Sequence, residues 1–297
     1  MTPLLDEMSI NTSAVRDATL SAMVVVVDEL ARNPDAPHAA VYTLEGATAT
    51  ELGFFRFAIV GLDFCDPGLI ALGEWGEVRI FADGGITEEQ IDVARGPLRN
   101  LTCIDGMAVA CGADLQVFRH AGPDNWIAFG PGDALLAEFP ANHLEAIDGF
   151  SRTEIYAAGR AGVIWYYDGS DWTPVQTPTN LSYYAVHCGK DGTVYLSGQA
   201  GVLATGREDS FELVPAPVPL EDVWGIALYG EIIHMAGFRT MVLCDGEDFL
   251  PDSGAQALGG SFYDLHVTGD YMFSFGMKDV MRRDMQQWRR LDRCVVV

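Results

Sequence analysis

Apolar residues along this chain come in bursts of four to six, split by glycine, proline and aspartate, and not at helical spacing. The clearest burst runs from Ile155 to Trp172, IYAAGRAGVIWYYDGSDW. IYAA ends at Gly159, GVIWYY follows a tight loop, and Asp168-Gly169 turns the chain toward Trp172. Asp-Gly between two apolar runs predicts a hairpin, because a tight turn needs positive φ and these residues tolerate it. The stretch recurs. With Gly159 as anchor, counterparts fall at Gly73, Gly112, Gly198, Gly237 and Gly276, in steps of 39, 47, 39, 39 and 39 residues. The long step holds Gly130-Pro131-Gly132-Asp133 and Pro140, which reads as a loop insertion. Trp126, Trp172, Phe211, Phe249 and Trp288 follow their anchors by 12 to 14 residues.

Short strands, about four to a unit with a period near 40, predict an all-β fold, a β-propeller of four-stranded antiparallel blades. One blade cannot bury both faces of its sheet, so neighbours stack around an axis. The anchor glycines are expected where a strand ends close to its neighbour, and the repeated aromatics where an outer strand begins and fills the gap between blades. Six regular units span about 55–94, 96–139, 142–178, 180–217, 220–254 and 260–297, with Gly96-Pro97, Pro178, Pro215-Ala216-Pro217 and Gly259-Gly260 at their joints. An irregular first unit over about 1–54 makes seven. It holds the valine run of 22–28, a loop over 29–38, and strands over 39–44 and 48–54; residues 1–20 show no clear period. The terminal CVVV (294–297) is strand-like and is expected beside the first blade, where the ring must close. All 297 residues are read as one domain.

Charge narrows the function. Eighteen basic and 42 acidic residues give a net charge of −24, which repels nucleic acid and anionic membranes and suits a basic protein partner. Residues 278–297 depart from this, with six basic and three acidic side chains, and read as a solvated outer strand. The six cysteines form no C-x-x-C pair and mostly sit in apolar runs, so free thiols are expected. The N-terminal stretch lacks the pattern of a signal peptide and Met23–Val27 is too short to span a bilayer, so the expectation is a cytoplasmic protein.

The common catalytic signatures are missing: no H-E-x-x-H, G-x-S-x-G or Walker loop is present. No catalytic residue, metal site or cofactor is assigned. His187 and His266 lie 11 and 10 residues before their anchors, at similar places on two inner strands, and read as core histidines that face the channel.

The pattern of apolar strand, Gly, short loop, apolar strand, Asp-Gly and Trp is similar to bacterial neuraminidase repeat propellers and to photosystem II assembly factor-like propellers, over roughly Phe55 to Asp292. That resemblance implies the architecture and, as alternatives, a glycan-binding or glycoside-hydrolase propeller using Arg160 and Arg239, or an assembly factor for a larger complex. The hydrolases use an arginine cluster, a tyrosine nucleophile and acidic partners; here the Asp box is degenerate and no motif singles out a tyrosine.

The better candidate is a face. Loops from second to third strands (Glu74, Trp75, Arg160, Phe238, Arg239) and from blade to blade (Tyr184, Glu221, Asp222, Trp224, Tyr263, Asp264) emerge on one side of a propeller. Tyr184, Trp224 and Tyr263 recur 14, 13 and 13 residues before their anchors. Aromatic rings with interspersed charge are the material of a protein-binding hot spot. The reading is a non-catalytic binding propeller, monomeric on its own, most concretely an immunity protein that neutralises a basic bacterial toxin such as a nuclease effector.

Overall fold

The computed structural model describes residues 4–31, 33, 35–46, 48–138, 142–291 and 295–296. Seven antiparallel sheets follow one another along the chain, each built in sequence order from the centre outward. Their inner strands are Met8–Val15, Ile59–Cys65, Leu98–Ile104, Leu144–Ser151, Tyr183–Cys188, Val223–Tyr229 and Asp264–Thr268. This is a seven-bladed β-propeller, as the period demands. Helix among the described residues is confined to Asp28–Ala31, Asp133–Glu138, Ser253–Leu258 and a few single turns. None is long and apolar enough to cross a membrane.

The core lies between blades. Seven hydrophobic clusters occupy the seven junctions; one, for example, joins Tyr156 and Ile164 of the fourth blade to Leu196 and Phe211 of the fifth. The repeated aromatics do the expected work here. Trp126, Trp172 and Trp288 each open an outer strand, and each indole N–H reaches back over the preceding junction. The acceptors are Glu89 Oε2 (2.8 Å), the Phe129 carbonyl (2.6 Å) and Asp252 Oδ2 (2.8 Å). The anchor glycines are equally explicit. A Cβ on Gly159, Gly198 or Gly276 would overlap a backbone carbonyl one to three residues ahead of its own inner strand, at His143, Ser182 or Ser261.

Several details depart from the sequence pattern. The insertion after the third blade carries the helix Asp133–Glu138, and a second helix, Ser253–Leu258, precedes the seventh blade. Asp252 caps that second helix by accepting from the Gly254 and Ala255 amides, while its other oxygen holds Arg283 and Trp288. A helical turn, Asp28–Ala31, opens the predicted 29–38 loop, and Met8–Val15 supplies the first inner strand from a stretch with no clear period. Asp168-Gly169 is a four-residue loop in which Asp168 Oδ1 accepts from the Ser170 and Asp171 amides. The Asp83-Gly84 and Asp105-Gly106 turns have both residues at positive φ. Pro140 and Cys294 lie outside the described residues.

The ring closes between the seventh and first blades. Met23, Val25 and Tyr42 pack on Phe273, Phe275 and Val280. Val295 and Val296 pair in parallel with Thr48 and Ala49, adding a fifth strand outside the first blade. The basic C-terminal segment serves this joint and its neighbour rather than standing free. Lys278 pairs with Asp28 of the first blade and donates to the Met8 carbonyl (2.9 Å), and Arg282 donates to the Ala18 carbonyl (3.0 Å). Arg283 pairs with Asp252 and Arg290 with Asp279.

Candidate functional site

Six of the seven inner strands carry a β-bulge at the same place, near their start. The register skips Asn11, Val60, Arg99, Glu145, Tyr184 and Trp224. A bulge re-aims the side chain of the extra residue and tightens the local twist. Tyr263, one position before Asp264, holds the corresponding place in the seventh blade, its amide donating to the Phe275 carbonyl (3.0 Å). The skipped residues therefore form a rim at one mouth of the central channel.

The rim has two sectors. In blades five to seven it is aromatic. Tyr184 stacks on Trp224 with ring centres 4.6 Å apart and planes within 10°, and Trp224 stacks on Tyr263 at 5.6 Å and 23°. Phe238, from the loop beside Trp224, meets Tyr263 edge-on at 6.0 Å. Trp224 and Phe238 remain 38% and 39% exposed despite these contacts, which is unusual for rings so well stacked. The other sector is polar apart from Val60. Asn11 reaches the Ile59 carbonyl of the next blade (2.7 Å), Arg99 pairs with Glu74 (3.5 Å), and Arg160 pairs with Glu145 (2.7 Å). Arg160, Glu145 and Asp222 also border the aromatic ladder, acting on the Tyr184 hydroxyl; burial, then the charges of Asp222 and Glu145, hold that hydroxyl above the usual phenol range.

Four of the five expected aromatic residues thus form one contiguous surface. Trp75, 56% exposed, stands apart beside the Glu74–Arg99 pair. The expected acids are committed within the chain. Glu221 Oε1 accepts from the Arg239 amide, the Thr240 amide and the Thr240 hydroxyl, so it clamps the loop that presents Phe238. Asp222 accepts from the Ala200 amide, and Asp264 from the amide and hydroxyl of Ser13 across the ring closure. Arg99 and Arg160 are each occupied by a carboxylate of this chain, not left open to a substrate anion. Arg239 is exposed on the same loop as Phe238.

Beneath the rim the channel is narrow, about 230 Å³, and is lined in part by Asp63, Asp148, His187, Asp264 and His266. Asp63 and Asp148 each bind the inner strand of the following blade, at the amides of Cys103 and Cys188 (both 2.7 Å). Burial raises Asp148 to about 6, against its two backbone donors, and the Asp63 charge adds to the rise. Burial pushes His187 down to about 4, so it is neutral in the folded protein near neutrality. His266 is held by the Ser13 hydroxyl (3.0 Å). Among the described residues no three ligand side chains converge as a metal site would require. The five described cysteines are free.

A closed ring of seven blades around a narrow channel, with an exposed aromatic rim at one mouth, makes this chain a β-propeller. The chain belongs to the family of the immune protein Tsi7 of Pseudomonas aeruginosa, to which it is 38% identical over 233 residues, 74% of each chain. No protein-family model matches the sequence. Among solved structures it is similar to YCF48 of Cyanidioschyzon merolae (TM-score 0.71, 14% identity, 96% of each chain covered). It is also similar to YCF48 bound to a D1 peptide (TM-score 0.69, 15% identity, 96% of this chain and 94% of that one). At such identity these likenesses show the fold, which is the one the photosystem II assembly factor resemblance implied.

Proposed function

We propose that this protein is a non-catalytic immunity protein that neutralises a basic toxin by binding it directly through the aromatic rim. The observation that carries the reading is the Tyr184–Trp224–Tyr263 ladder with Phe238 against it: stacked, pre-ordered and still exposed. Rigid aromatic rings supply contact area at low conformational cost, which is why they dominate hot spots. Membership in the family of a protein named for immunity supports the same role, and the net charge of −24 favours a cationic partner by steering encounter. A propeller of this fold also appears in complex with a peptide, so the architecture is compatible with capture of another chain.

The test is co-expression in a sensitive host with the basic toxic protein that this chain captures from its native host. The wild-type protein should restore growth, and the double variant W224A/Y263A, folded by circular dichroism, should not. Full protection by the double variant would remove the rim from the account, and no protection by the wild type would remove the role.

A further inference from the structure

At the opposite end of the second and third blades, Cys65 and Cys103 stand on adjacent inner strands. Cys65 lies two residues beyond Asp63 and so on the same side of its strand. That side faces the third blade: the Asp63 carboxylate holds the Cys103 amide at 2.7 Å, and Cys65 packs in the cluster that contains Leu101 and Ala108. One residue further, the Asp66 amide donates to the Gly106 carbonyl at 3.0 Å, so the two strands are tied on both sides of the thiols. Both cysteines open onto one cavity of about 970 Å³, bordered also by Arg16, Phe64, Asp66 and Phe81. The two thiols are close enough for each to act on the other. Cys103 is held below the ordinary thiol range chiefly by the neighbouring Cys65 thiol, helped by the Gly106 amide and opposed by burial and the Asp63 charge. Cys65 is correspondingly held up. Cys111 is fully buried and pushed up by burial, and Cys188 is pushed up likewise.

We propose that Cys65 and Cys103 form a peroxide-sensitive dithiol that closes to a disulfide between the second and third blades, with Cys103 as the attacking thiol and Cys65 as the resolving one. The thiolate is the nucleophile, and an accessible low-pKa thiol next to a partner thiol is the arrangement that oxidises selectively. Cys103 Sγ attacks one oxygen of hydrogen peroxide; the O–O bond breaks, and the departing hydroxide takes a proton as water. This leaves Cys103 as sulfenic acid. Cys65 Sγ then attacks the sulfenic sulfur, the S–O bond breaks, the S–S bond forms, and a second water leaves with the Cys65 proton. Two thiols are oxidised and one peroxide is reduced.

The test uses the full chain, reduced and then freed of reductant, exposed to stoichiometric hydrogen peroxide, denatured and alkylated. Two alkyl groups should be lost, and peptide mapping should find a single 65–103 link. C103S should slow loss of the Cys65 thiol by about tenfold or more. C65S should leave Cys103 oxidised but unlinked, and trappable as sulfenic acid with a dimedone-type probe. A link between other cysteines, or oxidation of Cys65 at an unchanged rate in C103S, overturns the proposal. No binding partner enters the experiment, so its outcome is independent of the role proposed for the rim.

Discussion

Trp224 and Gly198 show two kinds of residue that the repeat makes visible. Gly198 could be read from its spacing because a close backbone approach excludes any side chain, and the same approach recurs at Gly112, Gly159 and Gly276. Gly198→Ala should lower stability by about 2–4 kcal/mol, measured by urea unfolding, since the new Cβ meets backbone that cannot turn aside. A loss within experimental error would contradict the packing described. Trp224 was legible for a different reason: it shares a position with Tyr184 and Tyr263. Its exposure and its stacking were not legible, because they depend on a bulge that re-aims it, and a one-residue register slip leaves no mark on composition. The acids show the limit more sharply. Glu221 and Asp222 read as rim charges, yet each is spent on backbone amides, and which amide a carboxylate finds depends on loop geometry that the sequence does not state.

The inner strand is the element that joins fold to site. Its start carries the bulged rim residue and its middle lines the channel with Asp63, Asp148, His187 and His266. The two kinds of titrating group pull in opposite directions. Asp148, raised from 3.8 to about 6, takes up its proton earlier when folded, so it adds stability as pH falls from about 6 to about 4. His187 and His234, both lowered from 6.5 to about 4, resist protonation when folded, so they remove stability as pH falls across that span. Asp148→Asn leaves the histidines less opposed. Its urea midpoint should therefore fall more steeply than that of the wild type between pH 6.5 and 4, and parallel curves would contradict the assignment. Elsewhere at this scale the strands were readable from alternation and turn residues. The helix Ser253–Leu258 was not, because SGAQAL has too few apolar residues to show a period and is held by Asp252.

Over the whole molecule, seven junction clusters in a closed ring make each blade depend on two neighbours, so we expect one cooperative unfolding transition and a spectrum dominated by β-structure. Two well-separated transitions would contradict this. The shortest strand among the described residues, Val295–Val296, pairs in parallel with the first blade. Replacing both with proline removes its amide donors and should lower Tm by about 2–5 °C, whereas an unchanged Tm would mean that the fifth strand adds nothing to closure. Closure near the first blade was foreseeable, since a ring must bring its ends together; a parallel fifth strand was not, because the pairing direction is set by where the chain arrives. The same ring carries the aromatic ladder across three blades. Under the proposed function, rings buried on binding set how long the partner stays while net charge sets how fast it arrives. The measurement is the association and dissociation rate of the toxin with wild type, W224A and R160A at two salt concentrations. W224A should raise the dissociation rate by an amount equivalent to about 2 kcal/mol with association nearly unchanged, R160A should resemble wild type, and added salt should slow association for all three. Wild-type dissociation from W224A, or association indifferent to salt, would contradict it.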